Sequence, residues 1–337
     1  MIISRTPFRV SLFGGGTDLP QWYLRHGGAV IGGAIDKYCY ISLRTLPPFF
    51  SHKHRIVYSC VELVNDIQEI RHPVVRAVLT ETGVANGLEI HHDGDLPARS
   101  GLGSSSSFTV GLLHALHAYR GQMIGKWELA QAAIRVEQDI LQEHVGSQDQ
   151  MWAAYGGLNR IDFRPDGGIE VMPLIVPHDR RDQLQQRLVL YYTGQSRYAS
   201  DIEKDKIANL DRRQSELEGL RALVDEAVDI LCRPSADLDD IGRMLHCSWT
   251  IKRSLSSGVS NPMVDEMYAA ARSAGALGGK LLGAGGGGFL LLYVPPHRQE
   301  EVQQQLRNHI AINFRFEAGG SRIVVYEPDD FDHRQQL

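Results

Sequence analysis

The stretch Asp95–Leu113, DLPARSGLGSSSSFTVGLL, limits what this chain can become more than any other. It sets Gly101 and Gly103 around a leucine, then four serines, directly ahead of apolar residues at helical spacing (Phe108, Leu112, Leu116, Tyr119). Gly and Ser are ordinary at a helix start, where a serine side chain caps the first turn. The same pattern also suits an anion. Glycines let successive backbone N–H groups approach a ligand, and a helix opening at the serines adds its positive end. Serine hydroxyls can donate to phosphate or ligate a hard cation. This segment alone leaves a helix cap and a phosphate cradle both open.

Two acidic residues downstream bear on that choice. The periodicity predicts a helix over Lys126–Glu143, with Ala130, Ala133, Ile134, Ile140 and Leu141 on one face. Glu137 falls within that stripe, and an inward carboxylate is costly unless a cation or donors neutralise it. It is either a salt-bridged glutamate at the stripe's edge or a ligand for a metal shared with a nucleotide. Asp149 follows in the polar turn GSQDQ. There it serves either as a local turn cap or as a carboxylate accepting the proton of a substrate hydroxyl.

Familiar nucleotide signatures do not account for the chain. No G-x-x-x-x-G-K-[ST] occurs. GAGGGG at 283–288 matches G-x-G-x-x-G, but a dinucleotide fingerprint follows a strand and opens a helix. Here a helix precedes and the strand FLLLYV follows, so that reading fails on context.

The remaining segments read as strands and helices without strict alternation, which favours an α+β fold. Strands are expected at IISRTPFRVSLF, Ala29–Leu46, His54–Ser59, GLEIHHDGDLP, GGLNRIDF, LVLYYTG, GGFLLLYV and RIVVYE. Helices are expected at HPVVRAVLTETG, at about Ser200–Cys232 and Asp237–Ser256, from Pro262, and at HRQEEVQQQLRNH. The polar stretch Arg164–Asp182 is the candidate domain boundary. A length of 337 residues suits about two domains. The formal charge of −5 gives no basic excess of the kind nucleic-acid binding needs. No apolar run approaches a membrane span, no signal peptide is apparent, and the four scattered cysteines read as free thiols, so a cytoplasmic protein is expected.

Three ordered motifs, TPFRVSLFGGGTDLP, PARSGLGSSSSF and GGKLLGAGGGGFLL, resemble those of the GHMP kinases over nearly the whole chain. The resemblance implies an ATP- and Mg2+-dependent enzyme that phosphorylates a small hydroxyl substrate. It implies two α+β domains, a ribosomal-S5-like one over 1–175 and a ferredoxin-like one over 176–337. It would place ATP on Ser100, Gly101, Leu102, Gly103, Ser104, Ser105 and Ser106, and Mg2+ on Ser105 and Glu137. Asp149 would orient and deprotonate the acceptor hydroxyl, with Arg9 supporting it. Gly15, Gly16, Thr17, Asp18, Lys280, Gly285 and Gly286 would face the sugar. Galactokinases carry Gly-Glu-His-Thr-Asp where this chain has GGGTD, which argues against galactose.

GGGTDLP, GSQDQ, YYTGQSRYAS and SWTIKRSLSSGVSNPMVDEMY resemble the branch that phosphorylates heptose 7-phosphate at C1 for nucleotide-activated heptose. Fucokinase-like and galactokinase-like activities, and a non-catalytic regulator on the same fold, are the alternatives. A regulator would have lost the Asp, the metal ligands or the loop glycines, and none is lost. The partner expected is a small sugar or sugar phosphate, bound by a monomer or homodimer, with no nucleic acid and no membrane. Arg197, Lys252 and Arg253 are candidates for the 7-phosphate, although their charged helical surroundings suggest solvent exposure. Lys280 reads most plainly as a salt bridge at the domain junction. His91, His92, His114 and His117 have no acidic or Cys partners at metal-ligand spacing.

Overall fold

The computed structural model describes every residue except 85, 99, 195–206, 208–209 and 329–337. Arg197 and the expected start of a helix near Ser200 lie outside the described residues.

The first sheet is nucleated by a long antiparallel pair, β1 (Ile2–Phe13) and β2 (Gly28–Thr45), joined through α1 (Pro20–His26). Alternation fails along β1, whose last eight residues are all buried, as in a strand covered on both faces. Sheet order runs β12-β1-β2-β5-β3-β4, where β3 is His54–Val57, β4 Val61–Val64, β5 Leu88–Gly94 and β12 Arg322–Tyr326. Beyond this path β6 (Leu158–Phe163) pairs with β2, and β7 (Ile169–Pro173) with β6. α3 (Ser104–Tyr119) lies across β1 and β2, and α2 (Pro73–Thr82) packs against α3 and the segment Arg135–Ile140. α3 is apolar around almost its full circumference and buried accordingly.

The second sheet is antiparallel throughout, in the order β11-β8-β10-β9. Its strands are β8 (Leu188–Tyr192), β9 (Gly278–Leu281), β10 (Phe289–Tyr293) and β11 (Ala311–Ile312). Around it stand α6 (His178–Arg187), α7 (Gln214–Cys232), α8 (Asp239–Ser254), α9 (Pro262–Ser273) and α10 (Gln299–Gln305). The α+β architecture expected from the sequence is present.

The stretch Arg164–Asp182 holds β7, which pairs with β6 in the first sheet, and the start of α6, which packs on β8 of the second, so the passage between the sheets falls inside it. Two expectations need correction. The first sheet is not contiguous in sequence: β12 pairs antiparallel with β1, so a strand from the span 176–337 completes it. The helix expected over Lys126–Glu143 is broken. α4 (Lys126–Ile134) passes into a π-helix over Arg135–Ile140, and Gln142 then turns back with φ +53°. The chain re-enters a helix, α5 (Gln148–Tyr155), that periodicity did not suggest.

Candidate active site

A cleft of about 1070 Å³ opens where the two halves meet, lined by β1, the Gly15–Leu19 turn, the N-terminus of α3, the 143–149 segment and the 282–287 turn. Its floor is glycine-built. Gly103 is the N-cap of α3 at φ +73°, and no serine side chain caps that helix. The plain cap reading is therefore excluded, and the positive end of α3 faces the cleft. Gly101, at φ +80°, touches the other glycine-rich segment directly. A Cβ there would stand 2.5 Å from the Leu282 carbonyl oxygen, and one on Gly283 would stand 2.6 Å from the Gly101 Cα. Backbone meets backbone across the two halves, which only residues without side chains permit.

Arg9, on β1, is 5% exposed and forms a two-pronged pair with Asp149. Nε donates to Oδ1 at 2.7 Å and Nη2 to Oδ2 at 2.6 Å, while Nη1 donates to the Gly101 carbonyl at 2.6 Å. One guanidinium thus fixes both the carboxylate and the Gly101–Gly103 loop, which the rigid fork of arginine can do and a lysine cannot. Asp18 is buried beside it. Its Oδ1 accepts from the Gly16 N–H at 2.9 Å and its Oδ2 from Gln148 Nε2 at 2.8 Å.

Glu137 is fully buried. Oε2 accepts from Ser106 Oγ at 2.9 Å and from Gln150 Nε2, whereas Oε1 is sealed without a hydrogen-bond partner. Burial pushes its pKa up to about 7 against the opposing hydrogen bonds. The π-turn over Arg135–Ile140 seats it there, and the unwinding ends with the Glu143 N–H donating to the Glu137 carbonyl at 2.8 Å. Such π-segments concentrate at functional sites. A buried carboxylate with one oxygen unsatisfied, beside the Ser106 hydroxyl at the start of α3, fits a hard divalent cation.

Three consecutive residues of α5 organise the site. At about 100° per residue the first turn sends Gln148 to Asp18, Asp149 to Arg9 and Gln150 to Glu137. The sequence reading singled out only Asp149. The Gln-Asp-Gln triplet was the available signal, but it became readable only once an eight-residue helix was known to start there.

Most expected site residues converge. Gly15, Gly16, Asp18, Gly101, Gly103, Ser104, Ser105, Ser106, Lys280 and Gly285 line the cleft. Four do not. Thr17 is buried as a brace, donating to the Gly14 and Ala29 carbonyls at 2.8 and 3.0 Å. Ser100 and Leu102 are turned inward, buried behind the loop, and Gly286 spends its N–H on the Val259 carbonyl. The serine touching Glu137 is Ser106, not Ser105, which is exposed in the cleft.

The basic candidates divide. Lys252 is buried rather than solvated, its ammonium donating to the Leu281 and Gly283 carbonyls and lining the cleft. The signal was present: Ile241, Leu245, Ser248 and Lys252 share one face of α8. Arg253 pairs at the surface with Asp265. Lys280 donates to the Leu12 carbonyl at 3.1 Å, linking β9 to β1. His91 binds Glu89, His114 binds Ser321 and His92 lines the cleft. No cluster of three His, Cys, Asp or Glu side chains suited to a metal occurs among the described residues. No helix among them is long and apolar enough to cross a membrane.

A second stretch of lining is aromatic. His72 stacks on Phe108 (centroids 4.6 Å apart) and meets Tyr58 edge-on at 4.8 Å. Beneath it Glu62, 2% exposed, accepts from the N–H groups of Arg71 and His72 at 2.6 and 3.0 Å and from the Tyr58 hydroxyl at 2.7 Å. Burial raises the Glu62 pKa, but these donors more than offset it and hold it below the ordinary carboxylate value.

The family model described as "GHMP kinases N terminal domain" matches residues 67–157, and "GHMP kinases C terminal" matches residues 223–312. The D-glycero-alpha-D-manno-heptose 7-phosphate kinase of Campylobacter jejuni is 31% identical over 84% of this chain and 86% of that protein. The bifunctional fucokinase/GDP-fucose pyrophosphorylase of Arabidopsis thaliana is 25% identical over 83% of this chain and 28% of that protein. A solved D-glycero-D-manno-heptose 1-phosphate kinase from Bacteroides thetaiotaomicron superposes with a TM-score of 0.79 at 24% identity, covering 97% of this chain and 100% of that one.

Proposed function

The chain belongs to the GHMP kinases, and from that premise we propose that it transfers the γ-phosphoryl group of ATP to the anomeric C1 hydroxyl of a sugar. The acceptor we assign is D-glycero-D-manno-heptose 7-phosphate, giving the 1,7-bisphosphate. The observation that carries the reading is Asp149, locked by Arg9 between the Gly101–Gly103 cradle and Asp18. A carboxylate so placed meets an acceptor hydroxyl held by Asp18 on one side and a phosphate held by glycine N–H groups on the other.

Phosphoryl transfer asks the protein for position and charge neutralisation more than for covalent chemistry. Asp149 orients the C1 hydroxyl and takes its proton at a carboxylate oxygen as the bond to phosphorus forms. Arg9 keeps that carboxylate from rotating and spreads its positive charge to the loop carrying the phosphates. Glu137, with the serine hydroxyls of Ser105 and Ser106, would hold Mg2+, which when bound neutralises charge on the phosphate oxygens. The face of Phe108 and His72 suits the flat base of the nucleotide. In this reading the cradle and base wall belong to residues 1–175, and residues from 176 onward supply Lys252, Lys280 and the 282–287 turn that close the cleft.

Similarity to the fucokinase region supports a free hexose as the second acceptor to try. The test is ADP release with ATP and Mg2+ across heptose 7-phosphates, fucose, galactose and mevalonate. Heptose 7-phosphate is expected to give the highest kcat/KM. Turnover of mevalonate and of no sugar would sink the assignment.

A further inference from the structure

Asp18 sits in a pocket within the cleft whose other polar groups have not yet been given a task. Gly15 marks its centre, since a Cβ there would lie 3.6 Å from Ser11 Oγ and 3.8 Å from Gln148 Nε2. Space is scarce around it: a Cβ on Gly146 would stand 1.8 Å from Asp18 Oδ2. Ser11 and Gln148 both line the cleft and are only 5% and 8% exposed.

Their hydrogen bonding is incomplete. Ser11 Oγ and Gln148 Oε1 are both sealed from solvent and have no hydrogen-bond partner. The amide orientation is fixed by chemistry, because a carboxylate only accepts and so draws the Gln148 NH2 group to itself. Oε1 must then point elsewhere as an acceptor. The Gly16 N–H is likewise committed to Asp18. The nearby donors are thus turned onto one carboxylate, and what remains is an amide oxygen and a hydroxyl beside it. Buried polar atoms left unpaired in a cleft are what a substrate's own groups satisfy.

We propose that Gln148 and Ser11 are specificity-determining residues that, with Asp18, take two neighbouring hydroxyls of the acceptor. This deepens the sugar-kinase reading and rests on it. A hydroxyl fits where a carboxylate does not. It donates to Asp18 or to Gln148 Oε1, and its own oxygen accepts from Ser11. A carboxylate has no proton to give either acceptor and would meet the Asp18 charge. The set therefore takes a diol and rejects carboxylate-bearing acceptors.

The test uses the full chain with ATP and Mg2+, comparing wild type, Gln148→Met and Ser11→Ala on heptose 7-phosphate and its monodeoxy analogues. Each variant is expected to lose about 10- to 100-fold in kcat/KM for the sugar, with the KM for ATP unchanged. For one analogue per variant the losses should not add: the deoxy sugar and the truncated side chain remove the same bond. A residue of merely structural role would give additive losses with every analogue, and that result overturns the proposal. So does activity within twofold of wild type in both variants. Should Gln148→Met fail to fold, judged by its thermal transition, Ser11→Ala decides alone, since it removes a single atom. Failure of the parent reading looks different, because wild type would then turn over no sugar before any variant is compared.

Discussion

Along one stretch of the cleft, Arg9, Asp149, Asp18 and Gln148 meet through hydrogen bonds to carboxylates at 2.6 to 2.8 Å. Along another, Tyr58, His72 and Phe108 meet through ring faces and edges at 4.6 and 4.8 Å. The first stretch is directional, and Arg9, Asp18 and Gln148 in it are buried, so removing a partner leaves a charge or donor stranded. The second is a surface, tolerant of small shifts and suited to any flat group. Yet it too hangs on one charge, because Glu62 gathers Tyr58, Arg71 and His72 from below. The first stretch fixes its groups by direction, the second by area.

The largest change should come from Asp149→Asn. Its kcat is expected to fall by about 10²- to 10⁴-fold while ATP binding persists, read by turnover and by nucleotide titration. Normal turnover would reduce Asp149 to a counter-ion for Arg9. Next, Glu137→Gln should raise the Mg2+ concentration for half-maximal activity by about 10- to 100-fold. An unshifted Mg2+ titration would make Glu137 a purely structural buried acid. Glu62→Gln should act on the aromatic stretch alone, raising the KM for ATP by about 3- to 10-fold and leaving the KM for the sugar unchanged. A parallel rise in both would show that the two stretches are not independent.

The smallest effect comes from a residue outside the cleft lining and calibrates the others. Glu89 is opposed by burial, but His91, Arg44 and Arg55 bind it and bring its pKa down from 4.5 to about 2. A depressed pKa stabilises the fold above the unfolded value, and that contribution is lost as pH falls from about 4.5 toward 2. Denaturant titrations of wild type and Glu89→Gln should therefore differ at pH 7 and converge near pH 2, with activity at pH 7 unaffected. A gap that stayed constant with pH would show that the ion cluster is not its source.

The cradle and the carboxylate in the apolar stripe were legible because their signals are local: glycine before a helix, and a charge breaking a period. Gln150 and the π-turn were not, because both depend on where the chain goes after Gln142, and no pattern in QEHVG announces a left-handed residue there. Thr17 misled for the opposite reason. It stands in a motif whose neighbours face the cleft, but a turn alternates direction, and its hydroxyl is needed to tie Gly14 to Ala29. Lys252 was misjudged by composition, since α8 carries charges enough to look solvated while one face of it is buried.

The pairing of Ile2 with Tyr326 also sets an order of events during synthesis. Until residues 322–326 have left the ribosome, β1, the strand that carries Arg9, has a sheet neighbour on one side only. The half that holds the phosphate cradle therefore waits with an open edge while the other half is made and folds. Closure across more than 300 residues is slow, and an unpaired edge invites pairing with another chain. The nascent enzyme is most vulnerable to aggregation when its active-site residues have already been translated and only the closing strand is missing.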